Sequence, residues 1–129
     1  MRHKNNRVTK LAPGAQKYSL LMRNLLTSLV TSGKVVTTAK RAKALCAEAD
    51  SFFARLVRWS TDADQAAGQR VVIATLKQTL FTEEAGKKVL NDLLPVWTQA
   101  NKASGFAQGL KLGPRKGDAA EEMIVRLMN

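Results

Sequence analysis

Between two long helical patterns the sequence places a five-residue run, Lys34-Val35-Val36-Thr37-Thr38, that has no helical period. Four of its side chains are β-branched, and Gly33 precedes it. Such side chains are stiff in a helix and fit a pleated surface, so the run predicts a strand. The chain is therefore not a simple helical bundle.

The flanking patterns are clear. Over residues 15–32, Tyr18, Leu21, Met22, Leu25 and Leu29 recur at steps of three and four, with Leu26 and Val30 beside them. That spacing predicts a helix, ended by Gly33 in the left-handed C′ position. Lys17 and Arg23 lie off the stripe, and Leu20 falls on the polar side, where the preceding segment or a partner is expected to cover it. A second helix is predicted over 39–59, with Thr38 as N-cap. Its buried face is Ala42, Leu45, Cys46, Ala49, Phe52, Phe53, Leu56 and Val57. A single cysteine on such a face reads as a small hydrophobe.

Ser60-Thr61-Asp62 opens a turn into a third helix, about 63–79, with Val72, Ile73, Leu76 and Leu80 on its stripe. Thr82 is placed to cap a fourth, where Glu83 and Glu84 occupy the first turn favoured by the helix dipole. Val89, Leu90, Leu93 and Leu94 form its apolar face; Pro95 should limit or kink it, and Trp97 reads as a core aromatic. Residues 106–112 and 123–128 read as the strands of a hairpin joined through Gly113-Pro114-Arg115-Lys116-Gly117-Asp118. The order helix, strand, three helices, two strands predicts a two-layer α+β domain over 15–129, its helices packed on one face of a small mixed sheet. Residues 1–14 read as a basic arm closed by Pro13-Gly14.

The formal charge is +11, and it is concentrated. Ten of the 21 basic residues lie in 1–43: Arg2, Lys4, Arg7, Lys10, Lys17, Arg23, Lys34, Lys40, Arg41 and Lys43. The first acid is Glu48. Such asymmetry points to a polyanionic partner, most commonly nucleic acid. Lys40, Arg41 and Lys43 stand in the first turns of the second helix, where the dipole disfavours cations. Free amides beside three cations suit phosphate. The arm and the hairpin connection, with Arg115 and Lys116 at its tip, are two further candidate phosphate contacts.

Catalysis is poorly served. One histidine and one cysteine supply neither a two-histidine zinc motif nor a Cys-x-x-Cys pair, and no phosphate-binding glycine loop is present. No cofactor or small-molecule substrate is expected. There is no apolar run of membrane-spanning length and no secretory h-region at the start, so a cytoplasmic location is expected. A DNA-binding regulator or nucleoid protein is the alternative reading. Its helix-turn-helix would place a basic helix after another helix, and here a strand intervenes. A basic surface helix on acidic membranes fits less well, because Phe52 and Phe53 lie on a core-like face and Glu48 and Asp50 mix the charge.

Several stretches resemble the L-seventeen family of bacterial large-subunit ribosomal proteins. Met1-Arg2-His3 is similar to the family's opening. Leu21-Met22-Arg23-Asn24-Leu25 with Thr27-Ser28-Leu29-Val30 resembles its L-x-R-N-L-x-x-S-L helix. Gly33-Lys34-Val35-Val36-Thr37-Thr38 resembles its strand with a Thr-Thr pair, and Ala39-Lys40-Arg41-Ala42-Lys43-Ala44-Leu45 its A-x-x-A-K-E-L helix start. Leu90-Asn91-Asp92-Leu93, Pro95, Ser104-Gly105-Phe106, Lys111, Arg115 and Gly117-Asp118 follow in the family's order. The chain departs at Ala12-Pro13-Gly14-Ala15-Gln16, where the family has arginine and histidine. It departs again at Phe106-Ala107-Gln108, which lacks an arginine, and at Ala44, where the family has Glu. The resemblance implies the same α+β fold, with 23S ribosomal RNA and neighbouring large-subunit proteins near the outer side of the exit tunnel as partners. It adds His3 and Lys111 to the candidate RNA contacts.

Deleting residues 1–12 is expected to leave the thermal melt unchanged, since the segment has no apolar period to bury. Nucleic-acid binding should weaken, and its salt dependence should become shallower as fewer counterions are released. A salt slope equal to that of the full chain would remove the arm from the interface.

Overall fold

The computed structural model describes residues 15–62 and 64–128. The arm over 1–14, with Arg2, His3, Lys4, Arg7 and Lys10, lies outside the described residues. Helix α1 spans Ala15–Ser32, strand β1 Lys34–Thr38, α2 Ala39–Ser60 and α3 Gln65–Thr79. Helix α4 (Glu83–Lys88) passes through a π-helical turn, Val89–Leu93, into α5 (Leu94–Gln99). Strands β2 (Ala107–Pro114) and β3 (Glu121–Leu127) close the order. The α+β fold and its element order agree with the sequence reading.

The helix ends follow local chemistry. Gly33 takes φ +79° and donates its N–H to the Leu29 carbonyl, ending α1 in the left-handed conformation glycine tolerates. Thr82 caps α4 by accepting the Ala85 N–H at 3.3 Å. Asp64, rather than the Ser60–Asp62 segment, caps α3 by accepting from Ala67 at 3.3 Å. Thr38 precedes α2 in an extended conformation, but its side chain makes no capping bond. Pro95 neither ends nor kinks the last helix alone. The preceding turn widens, so that the Leu94 N–H reaches the Val89 carbonyl, and the missing proline donor falls at the start of the next segment.

The sheet has the order β1-β3-β2, and both pairings are antiparallel. It is therefore not mixed as the sequence suggested. β1 and β2 run the same way, but β3 lies between them and opposes each, so no parallel neighbours occur. Along β3, Met123 and Val125 are buried while Arg126 is exposed, as strand alternation requires. The inward face seats on α2, and its anchor is aromatic. Phe53 of α2 stands 4.8 Å from Trp97 of α5 and 6.2 Å from Phe106, whose ring is 5.0 Å from Trp97. The Trp97 indole N–H donates to the Met128 carbonyl at 3.0 Å. Asp50 of α2 accepts the amides of Phe106 and Ala107 at 2.9 and 3.0 Å, fixing where β2 begins.

Two expected stripes are shifted. In α1 the fully buried residues are Met22, Leu26, Leu29 and Val30, while Tyr18, Leu21 and Leu25 are half-buried. In α3, Val72 and Leu76 are buried but Ile73 is 40% exposed, because α3 packs by a narrow edge over the end of α2. That approach runs through Gly68: a Cβ there would overlap the Trp59 carbonyl oxygen.

Gly68→Ala should therefore destabilise the protein by about 1–3 kcal/mol through overpacking against backbone. The intrinsic gain of roughly 1 kcal/mol for Ala over Gly in a helix opposes this but does not remove the overlap. Urea unfolding measures the change, and a more stable variant would mean that α3 can lift away from Trp59 without cost.

Candidate nucleic-acid interface

The topology brings separate parts of the chain to one end of the sheet. Thr38, the last residue of β1, pairs with Glu122, and Pro114 pairs with Glu121. Helix α2 starts directly after Thr38, and the hairpin tip lies directly beyond Pro114. The first turns of α2 and the tip therefore share an end, although more than 70 residues separate them in sequence.

On the α2 side, Lys40, Arg41 and Lys43 are all exposed. Helices α3 and α4 close their first turns with a side-chain cap, whereas α2 has no side-chain cap and no acid in its first turn. Its leading amides face outward with their partial positive charge. On the tip side, Lys116 is exposed, but Arg115 is committed. Its guanidinium bridges both carboxylate oxygens of Asp118, with Nε donating to Oδ1 at 2.8 Å. This bond, helped by the Ala120 N–H, lowers the Asp118 pKa from its ordinary 3.8 to about 2. Asp118 Oδ1 also takes the Ala120 amide, and Ala119 sits at φ +57°, so the tip is an ordered turn. Lys111 lies on β2 opposite Met123, exposed beside a bulge between Lys111 and Gly113.

Other predicted residues go elsewhere. Arg23 is half-buried: its Nε donates to the Thr79 carbonyl at 3.1 Å and its guanidinium lies 4.2 Å over the Phe81 ring. It ties α1 to the connection between α3 and α4. Lys34 stands at the far end of the sheet, paired in register with Arg126. Arg126 in turn donates two bonds to Gln108 Oε1, at 3.2 and 3.0 Å. Lys17 is exposed at the start of α1. The sequence reading passed over Arg126, Arg55 and Arg58. Helical spacing along α2 was the signal for the latter two, because both follow the exposed face that Lys40 and Lys43 begin.

The remaining chemistry offers no reactive centre. Burial, then the neighbouring Asp50, pushes the half-buried Cys46 thiol up, which suppresses thiolate. Among the described residues no group of three or more His, Cys, Asp or Glu could hold a metal ion. No helix among them is long and apolar enough to cross a membrane. A groove of about 460 Å³ runs between α3 and α4 over Leu76, Leu80 and Leu90, with Phe81 at its rim.

Comparison with known proteins gives a consistent answer. The family described as Ribosomal protein L17 matches residues 21–128. The chain is 33% identical over 119 residues to the large ribosomal subunit protein bL17 of Clostridioides difficile, covering 92% of this chain and 96% of the relative. It is 32% identical over 120 residues to the protein of that name from Clostridium tetani, with coverage of 92% and 96%. It is 30% identical over 125 residues to that of Lactiplantibacillus plantarum, with coverage of 93% and 97%.

The tip makes a pH prediction. Because the Asp118 carboxyl is depressed in the folded chain, its contribution is present above the ordinary value of 3.8 and is lost as pH falls through about 2. A carboxyl NMR titration should find its midpoint near 2, and Arg115→Ala should move that midpoint up towards 3.8. The melting temperature at neutral pH should scarcely move, since the pair is solvent-exposed. A midpoint that ignores Arg115→Ala would show that the clasp does not persist in solution.

Proposed function

The chain belongs to the ribosomal protein L17 family and is a structural protein of the large ribosomal subunit, not an enzyme; from that premise we propose that it grips 23S ribosomal RNA through the basic first third of its sequence. The observation that carries this reading is the start of α2. There an uncapped helix terminus, three exposed cations and an ordered basic hairpin tip meet at one end of the molecule. A polyphosphate backbone supplies what that end lacks, namely negative charge and acceptors for the leading amides.

In this reading Lys40, Arg41 and Lys43 hold phosphates at the α2 terminus, and Lys116 and Lys111 hold phosphates along the hairpin. Arg115 acts as a positioning residue, keeping the tip in shape through Asp118. Arg23 is likewise a positioning residue, locking α1 against Phe81 while its remaining N–H groups face outward. Lys17, Lys34 and the arm residues Arg2, His3, Lys4, Arg7 and Lys10 extend the charged surface. Recognition is of RNA shape and backbone, since the large aromatics Phe53, Trp97 and Phe106 are buried and cannot stack on bases. Neighbouring large-subunit proteins and a place on the cytoplasmic ribosome follow from the same reading.

The test sets stability against binding. Arg41 is the third helical residue after Thr38, so Arg41→Glu completes a Thr-x-x-Glu capping box. It should stabilise the free protein by roughly 0.5–1 kcal/mol while weakening its affinity for 23S RNA several-fold. Thermal melts beside RNA titrations at one fixed salt give both signs. A variant that melts lower yet binds RNA as before would make Arg41 a structural residue and overturn this assignment.

A further inference from the structure

Helix α2 carries a second feature that its N-terminus does not explain. Lys40, Lys43, Ala47, Ser51, Arg55 and Arg58 recur at steps of three and four, and all six are exposed. They form one stripe along nearly the whole helix. Both ends of the stripe are cationic, and its middle holds only a methyl and a hydroxymethyl side chain. The centres of the two basic pairs are fifteen residues apart, about 22 Å along the axis.

The two acids of α2 are absent from this stripe because the fold occupies them. Glu48 accepts the Tyr18 hydroxyl at 3.1 Å, and Asp50 accepts the Phe106 and Ala107 amides. Arg55 folds along the stripe, its Nε donating to the Ser51 carbonyl at 3.3 Å. A solvated helix of ordinary design intersperses both charge signs on its outer face. Here the acids are turned to internal partners and the outer face is left with cations only.

Resting on the ribosomal RNA reading above, we propose that this stripe spans the shallow minor groove of an A-form RNA duplex. Lys40 and Lys43 meet the phosphates of one strand, and Arg55 and Arg58 those of the other. Ala47 and Ser51 lie over the 2′-hydroxyls between them, where small side chains allow the backbone to come close. The A-form minor groove is wide and shallow and displays those hydroxyls, whereas the minor groove of B-form DNA is too narrow for a helix. Single-stranded RNA fits less well, since the stripe offers no aromatic surface for an unstacked base. Arg55 and Arg58 thereby join an interface that the sequence had confined to the first third of the chain.

The experiment uses the full chain and three probes: a loop-free RNA duplex, a DNA duplex of the same sequence, and the single-stranded RNA. The wild-type protein should prefer the RNA duplex. Replacing Arg55 and Arg58 together with Ala should weaken its binding to that duplex on the order of tenfold. The log–log salt slope should become shallower by about 1.5, for two phosphates released. Replacing both with Lys should restore most of the loss. Ala47→Leu, at an exposed site where Leu is a good helix former, should weaken duplex binding several-fold while leaving the melt and single-strand binding alone. Wild-type affinity and slope in the double alanine variant, with Arg41→Glu still binding weakly, would overturn the groove-spanning stripe and leave the RNA-binding reading standing. If neither variant loses affinity for the RNA duplex or for 23S RNA, both readings fall. Equal or tighter binding of the DNA duplex would also overturn the stripe, by assigning it to a major groove.

Discussion

The packing of Phe53 against Trp97 and Phe106 holds the two layers together. These three rings come from α2, α5 and the start of β2, and each is essentially sealed from water. Tilted and edge-on aromatic contacts of this kind add about 0.5–1.5 kcal/mol each beyond the area they bury. Polar bonds fix the same joint in register. Asp50 holds the two amides at the entry of β2, and the Trp97 indole holds the backbone just after β3. Without that joint the sheet would have nothing to seat on, and the hairpin tip would no longer stand beside the start of α2.

Helix α2 therefore has two faces under different demands. Its inner face, from Ala42 to Val57, is the main wall of the core. Its outer face and N-terminus break the preferences that α3 and α4 observe, with no side-chain cap, no early acid and cations in the first turns. The inner packing makes this tolerable. A helix held by eight buried residues can carry an unfavourable terminus at a cost of a few tenths of a kcal/mol per charge. Local rules broken where the fold can absorb them, on a surface rich in exposed cations, are a mark of function.

What the sequence revealed follows the range of the interactions involved. The bounds of α1 and β1 and the start of α2 are set by Gly33, the β-branched run and helical spacing, all of them local, and they were legible. The α4 cap at Thr82 was legible for the same reason. Antiparallel pairing on both sides of β3 was not, because it depends on Lys34 finding Arg126 across 92 positions. The exposure of Ile73 depends on how closely Gly68 lets α3 approach Trp59, which no periodicity encodes. The candidate site shows the same division. The excess of cations in the first third was visible at once. That Arg115 is bound to Asp118, or that Arg23 stacks on Phe81, required the folded chain. Arg55 and Arg58 were missed for a different reason: weighing charge by sequence third hides a stripe that runs the length of one helix.

The central strand of the sheet is also the last element of the fold in chain order. Neither β1 nor β2 can complete its ladder until residues 121–127 have been synthesised, and the closure joins segments at opposite ends of the domain. Pairings of such long sequence separation are slow steps in folding. On a growing chain, α1 to α5 can form while the sheet-facing side of α2, including Phe53, still waits for its cover. The arrangement of cations at the hairpin end thus comes into being only with the final strand. A chain interrupted before residue 121 would carry nearly all of its positive charge without the geometry that directs it, and so would be sticky towards polyanions in general rather than shaped for one.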